Sequence, residues 1–148
     1  MSAAGFEVIK DLRDAELVEM PTTTLTAAKG DLVERLAAGL YWTACTATSP
    51  HFSPKAILME AAVAASSVLA YRLTGNETVR AECANTANTG HNGDIMVLTD
   101  TNTVNNTGTT ATTEYAAFVQ EGVSGATSEK RLIGRILVGN GVDPDATT

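Results

Sequence analysis

The apolar residues of this chain come in short runs, and turn residues separate them. Two Gly-Asp pairs, Gly30-Asp31 and Gly93-Asp94, each open such a run, and the last run is Arg131-Leu-Ile-Gly-Arg-Ile-Leu-Val138. Gly reaches backbone angles closed to other residues, and Asp hydrogen-bonds its own backbone in a turn. Short apolar runs between tight turns describe an all-β domain of short strands. No nucleophile motif, metal cluster or phosphate loop accompanies the turns, so function is to be sought in what the surface binds.

At 148 residues the chain fits one domain and needs no disulfides to bury a core. Only 5% of its residues are aromatic and 18% charged, so Ala, Thr, Val and Leu carry the apolar mass. A core of many small contacts is one that oligomer formation commonly supplements. The net charge of -7 opposes contact with nucleic-acid phosphates. The basic residues are scattered (Lys10, Arg13, Lys29, Arg35), apart from Lys130-Arg131 and nearby Arg135. Nucleic acid is therefore not an expected partner. Cys45 and Cys83 stand far apart and permit one disulfide without implying a framework; they read as small buried thiols. No basic segment followed by an apolar one opens the chain, and no apolar stretch suits a bilayer span. The expectation is a product of the cytoplasm with no membrane partner.

Three regions are expected: an N-terminal arm over residues 1–26, a β-barrel domain over 27–139 and a tail over 140–148. In the first, Phe6, Ile9, Leu12, Leu17 and Val18 sit among charged residues, and Pro21 breaks any helix. This segment reads either as an arm packing on another chain or as an ordinary first strand. Residues 55–70 also read two ways. Ser53 and Pro54 suit a helix start, and Leu58, Ala61, Ala62, Ala65 and Leu69 share a helical face. The alternative is a strand at 56–60, a turn through 61–67 and a strand at 68–73. Local propensity favours the helix. From Thr99 to Thr113 the chain is almost wholly Thr, Asn and Gly, and reads as a long surface loop or solvated β extension.

Catalytic arrangements are missing. His51 and His91, the only histidines, lie in no metal-ligand spacing and read as loop residues in solvent. No Ser occupies a Gly-x-Ser-x-Gly elbow; Gly122-Val-Ser-Gly125 has the wrong spacing. Glu60, Glu77, Glu82 and Glu114 supply carboxylates without the aromatic platforms of a glycosidase cleft. Gly30 and Gly39 are too far apart for a phosphate loop. Neither enzyme activity, a cofactor nor a metal is expected. Trp42 reads as a core or interface anchor ahead of a sugar platform.

The order of Gly30-Asp31-Leu-Val, Leu40-Tyr-Trp, Lys55-Ala-Ile-Leu-Met-Glu-Ala-Ala, Val68-Leu-Ala-Tyr-Arg-Leu-Thr-Gly75, Gly93-Asp94 and Leu132-Ile-Gly-Arg-Ile-Leu137 resembles the head decoration (capsid cement) proteins of tailed bacteriophages. The likeness covers about residues 28–138. It departs from the family pattern in the Thr/Asn-rich run and in the N-terminal segment. The resemblance implies a small β-barrel or β-tulip, and strand-turn-strand over 55–70. It implies a homotrimeric structural protein on the outer surface of the virion head, made in the host cytoplasm, with the major capsid protein as partner. Phe6, Ile9, Leu12, Leu17 and Val18 are then expected to make arm contacts, and deletion of residues 1–20 to leave the barrel folded while weakening attachment. Rival expectations are a glycan-binding or adhesin β module using Trp42 and the Thr/Asn-rich run, and another virion part such as a tail-tube subunit.

Overall fold

The computed structural model describes residues 5–10, 17–35, 41–107, 109–111 and 115–139; at Lys10, residues 17–20 and Thr23 it describes the backbone alone. Twelve strands are present among them: β1 (Phe6–Lys10), β2 (Leu17–Ala27), β3 (Leu32–Glu34), β4 (Thr43–Ala44), β5 (Lys55–Leu58), β6 (Ala62–Arg72), β7 (Thr78–Cys83), β8 (Ile95–Met96), β9 (Leu98–Asp100), β10 (Thr103–Val104), β11 (Phe118–Val123) and β12 (Arg131–Ile136). The only helical pieces described are single 3-10 turns at Thr89–His91 and Thr127–Glu129. The domain is all-β and barrel-like.

One sheet runs β8-β11-β12-β7-β10-β9. Strand β7 is its hub. It pairs with β12 on one side, while the other side is shared between β1, along Thr78 to Ala81, and β10, parallel to Glu82 and Cys83. The second sheet runs β2-β6-β5-β3-β4. Its inner strands β3 and β5 are buried on both faces. Leu32, Ile57 and Tyr71 enter the main core with Phe6, Val79, Phe118 and Leu132 of the first sheet. Their neighbours Val33, Ala56, Leu58, Val68 and Ala70 enter a second, smaller core with Leu25 and Trp42.

This two-sided burial explains the helix-like reading of Lys55–Leu58, and the Ala-rich start of β6 adds to it through propensity. A strand buried on both faces carries no polar alternation, and a short apolar run then looks the same as a helix. The structure has β5, a bend at 59–60, and β6 from Ala62, so the turn is shorter and earlier than the expected 61–67. Both Gly-Asp pairs behave as turns, with Gly30 and Gly93 each at φ 93°. Asp31 accepts the Ala28 N–H at 3.0 Å, closing the first turn. Asp94 instead meets the His91 ring at 3.1 Å. In β12, Gly134 is required by space: a Cβ there would run into the Val119 carbonyl and the Phe118 ring.

The Thr/Asn-rich run does more than cover the surface. Val104 is fully buried, and Asn106, also buried, exchanges hydrogen bonds with the Asn85 backbone. Leu32 N–H donates to the Thr101 carbonyl and the Thr101 hydroxyl donates to the Leu32 carbonyl, both at 2.8 Å, which ties one sheet to the other.

The N-terminal segment is not a free arm where the structure describes it. Strand β1 belongs to the first sheet, Phe6 is 3% exposed in the main core, and its N–H donates to Gly30 at 2.8 Å. Ile9 sits half-buried at the β1 bulge. Leu17 and Val18 pair with Tyr71 and Ala70 through the backbone; their side chains, and Leu12 altogether, lie outside the described residues. Deleting residues 1–20 would therefore remove a core aromatic and part of both sheets, and the expectation of an intact barrel is replaced. Phe6→Ala should lower unfolding free energy by about 3 kcal/mol or more. Urea denaturation checks this; an unchanged midpoint and slope would make β1 an appendage.

Candidate functional site

Two features of the described residues stand apart from ordinary packing. The first is a buried polar cluster between the sheets' ends. Glu34 on β3 and Lys55 on β5 are register partners, and both are buried. Ser49 donates to Glu34 Oε2 at 2.6 Å and Ser53 to Glu34 Oε1 at 2.8 Å. Lys55 Nζ donates to the carbonyls of Pro50 and Leu137, both at 2.8 Å. Pro50 and Pro54 shape the connecting loop, and Ser49 also accepts the Thr46 N–H at 2.8 Å. Cys45 lies in the same neighbourhood, close enough to feel both charges.

The cluster has the atoms of a nucleophile site but not its access. Glu34, Ser49, Ser53 and Lys55 are each 3% exposed or less. Burial pushes the Lys55 ammonium below the usual lysine value, while Cys45 and Glu34 pull it back. Burial also pushes the Cys45 thiol up, reinforced by Glu34. Cys83 is pushed up to about 11, again by burial. Both thiols are free, and protonated thiols are poor nucleophiles. The chemistry available is structural: each charge is dry and satisfied by fixed donors or acceptors.

The second feature is the β2–β6 ribbon. β5 pairs with β6 only from Ala70 onward, and Leu69 is held on that side by the Met59 N–H at 3.0 Å and the Glu60 carboxylate at 3.1 Å, so Ala62 to Val68 continue beyond with β2 alone. Thr24 and Ala64, on facing strands, both take left-handed backbone at φ 49° and 46°. Such angles are unusual for Ala and more so for β-branched Thr. They coincide with breaks in the pairing register. Val63 is 82% exposed, Leu69 40% and Met59 36%. Leu69 alternates with buried Val68 and Ala70, so it faces away from the second core.

Of the residues expected at a contact surface, the structure places Phe6 in the main core and Trp42 in the second, 5% exposed. Trp42 N–H donates to the Pro21 carbonyl at 3.0 Å and closes that core beside β2. It offers no face to a sugar. Met59, Val63 and Leu69 were not singled out, because local propensity favoured a helix over 55–70, although the resemblance implied strand-turn-strand there. The usable signal was the absence of any charged residue from Ala61 to Tyr71. The histidines are half-buried, not solvent-borne: His51 packs edge-on to Phe52 with ring centres 5.6 Å apart, and His91 meets Asp94. Among the described residues no group of three His, Cys, Asp or Glu is placed to hold a metal ion, and no helix is long and apolar enough to cross a membrane.

Comparison with family models, with characterised proteins and with solved structures returned no match.

Two outcomes follow from the buried cluster. Glu34→Gln removes the countercharge of Lys55 and half the acceptors of Ser49 and Ser53, and should cost about 3 kcal/mol of stability by denaturant titration. A wild-type midpoint would show the cluster to be incidental. The Lys55 shift has a defined sign. The folded state holds this proton less tightly than the unfolded chain, so unfolding takes up a proton between the lowered value and the ordinary lysine value. The contribution of this group to stability therefore rises with pH through that window, and Lys55→Met should flatten the rise.

Proposed function

We propose that this chain is a structural virion protein that binds the outer surface of an expanded phage head and stabilises the capsid. The observation that carries the reading is the strand-turn-strand at residues 55–72. The resemblance to head decoration proteins required it, whereas local propensity favoured a helix. The barrel-like all-β domain is consistent with the same family. The charge balance supports it too, since a chain of net charge -7 is not drawn to packaged DNA and stays outside the shell. Repeated copies on a lattice turn modest single contacts into strong attachment, because each further contact is effectively intramolecular.

The contact residues differ from those expected of an arm. Phe6 and Trp42 hold this chain's own cores, so attachment is assigned to exposed surface. The glycan-binding alternative loses its platform with Trp42 buried. A tail-tube subunit remains the rival within virion proteins, and it would form rings of six in solution.

Co-sedimentation of the purified chain with heads assembled without it tests the proposal. Binding to expanded heads, little binding to unexpanded ones, and a raised temperature of head disruption are expected. No binding to either form, or stable six-membered rings of the free protein, would contradict it.

A further inference from the structure

We propose that Asn92 is a latent deamidation site and that Gln120 is the clasp that keeps it unreacted. The chain carries two Asn-Gly pairs, Asn92-Gly93 and Asn140-Gly141, and the second lies outside the described residues. Asn followed by Gly is prone to imide closure, because Gly has no Cβ to obstruct the attack and its backbone turns freely. The Gly93 nitrogen gives its proton to solvent base and bonds to Asn92 Cγ. The Cγ–N bond of the side-chain amide breaks, and ammonia leaves. Water then opens the imide ring at either carbonyl. One product is aspartate; the other is isoaspartate, in which the backbone runs through the former side chain. Water is the only co-reactant consumed.

Both reacting groups are tied to one residue of β11. Gly93 N–H donates to the Gln120 backbone carbonyl at 2.7 Å. Asn92 Oδ1 accepts from Gln120 Nε2 at 2.9 Å. The same Nε2 donates to the Asn88 carbonyl at 2.8 Å, and Gln120 N–H donates to the Asp94 carbonyl at 3.1 Å. These bonds hold the loop from Asn88 to Asp94 on a single strand position. To reach Asn92 Cγ, the Gly93 nitrogen must turn out of its bond to β11. Local opening of the loop is therefore added to the chemical barrier.

Solvent access is not what protects the pair, since Asn92 and Gly93 are both exposed. Nor does the turn demand Asn. Asn92 sits at φ -59° and ψ 130°, which any residue adopts, and the left-handed position falls on Gly93. What Asn92 supplies is an acceptor for Gln120. Gln120 is 1% exposed, and no described donor meets its Oε1. A buried acceptor left unpaired costs stability, so packing alone would favour an apolar side chain there. The two bonds made by Nε2 account for the amide. Once the loop opens and the imide forms, the change is one-way. Aspartate adds a carboxylate two residues from Asp94, and isoaspartate lengthens the backbone before Gly93 and moves its N–H off Gln120.

Peptide mapping by mass spectrometry tests this, on the full chain held in mildly alkaline buffer with and without urea. Asn92 in the native wild type should deamidate at least about tenfold more slowly than in the unfolded chain. Gln120→Met keeps the bulk and the backbone bonds but removes the clasp. It should melt cooperatively and deamidate at Asn92 about tenfold faster than the native wild type, with Asn140 no faster. Should it not melt cooperatively, amide hydrogen exchange at Gly93 in the wild type gives the readout: slow exchange is expected, and exchange at the rate of an open chain overturns the inference. Equal reaction of native and unfolded wild type at Asn92, a folded Gln120→Met chain as slow as the wild type, or a rise shared equally by Asn140 also overturns it. None of these outcomes involves head binding, so the clasp and the proposed function fail separately.

Discussion

The fold depends on keeping one ammonium group dry. Lys55 reaches no solvent, and its charge is held by two backbone carbonyls, Pro50 before it and Leu137 near the other end of the domain. Next to this bond Gly139 N–H donates to the Ser53 carbonyl at 3.1 Å, and Leu73 N–H to the Lys55 carbonyl at 3.0 Å. One residue thus fastens the exit of β12 to the β5–β6 pair. Glu34 balances the charge from the facing strand and is itself held by two serine hydroxyls. An isolated buried charge would cost far more than a domain of this size can tolerate, so the whole set must assemble together. That coupling makes barrel closure cooperative.

The same closure explains the two cores. Bringing the second sheet against the first buries Leu32, Ile57 and Tyr71. The opposite face still carries Val33, Ala56, Leu58 and Val68, and it is covered by Trp42 and Leu25. With so few aromatics, Trp42 is worth more to this second core than to any external site. The Leu25 end is reached through the irregular pairing around Thr24, so the strained ribbon is a consequence of wrapping β2 over that face. Its exposed side is what remains after the wrapping.

Fold class was legible because turns are local. Gly30 and Gly93 announce positive φ through residue type alone, and the closing Ile-Gly strand announces its close approach to Phe118. Over 55–70 local propensity favoured a helix while the resemblance implied strand-turn-strand: burial of β5 on both faces erases the alternation that separates strand from helix, and the Ala-rich start of β6 favours helix by composition. Phe6 was misplaced for a related reason: charged neighbours suggested an arm, but Glu7 lies on the outer face of β1 and pairs with Arg80. The Lys55 cluster was illegible altogether. Nothing in Ser53-Pro54-Lys55 signals that its partners are Glu34 and Leu137, which only the topology brings together. For the surface, the informative feature was a composition gap and not a motif, and such gaps carry meaning only once the strand is known to be exposed.

A barrel-like domain fastened by an inaccessible polar lock, with Val63, Leu69, Met59, Tyr41 and Ile95 exposed at its surface, is compatible with the proposed adhesive role. Electron microscopy of heads with and without this chain tests that role most directly. The account predicts added density above the shell at threefold or quasi-threefold positions, present only when the chain is supplied. Identical shells in the two preparations, or density confined to the tail, would contradict it.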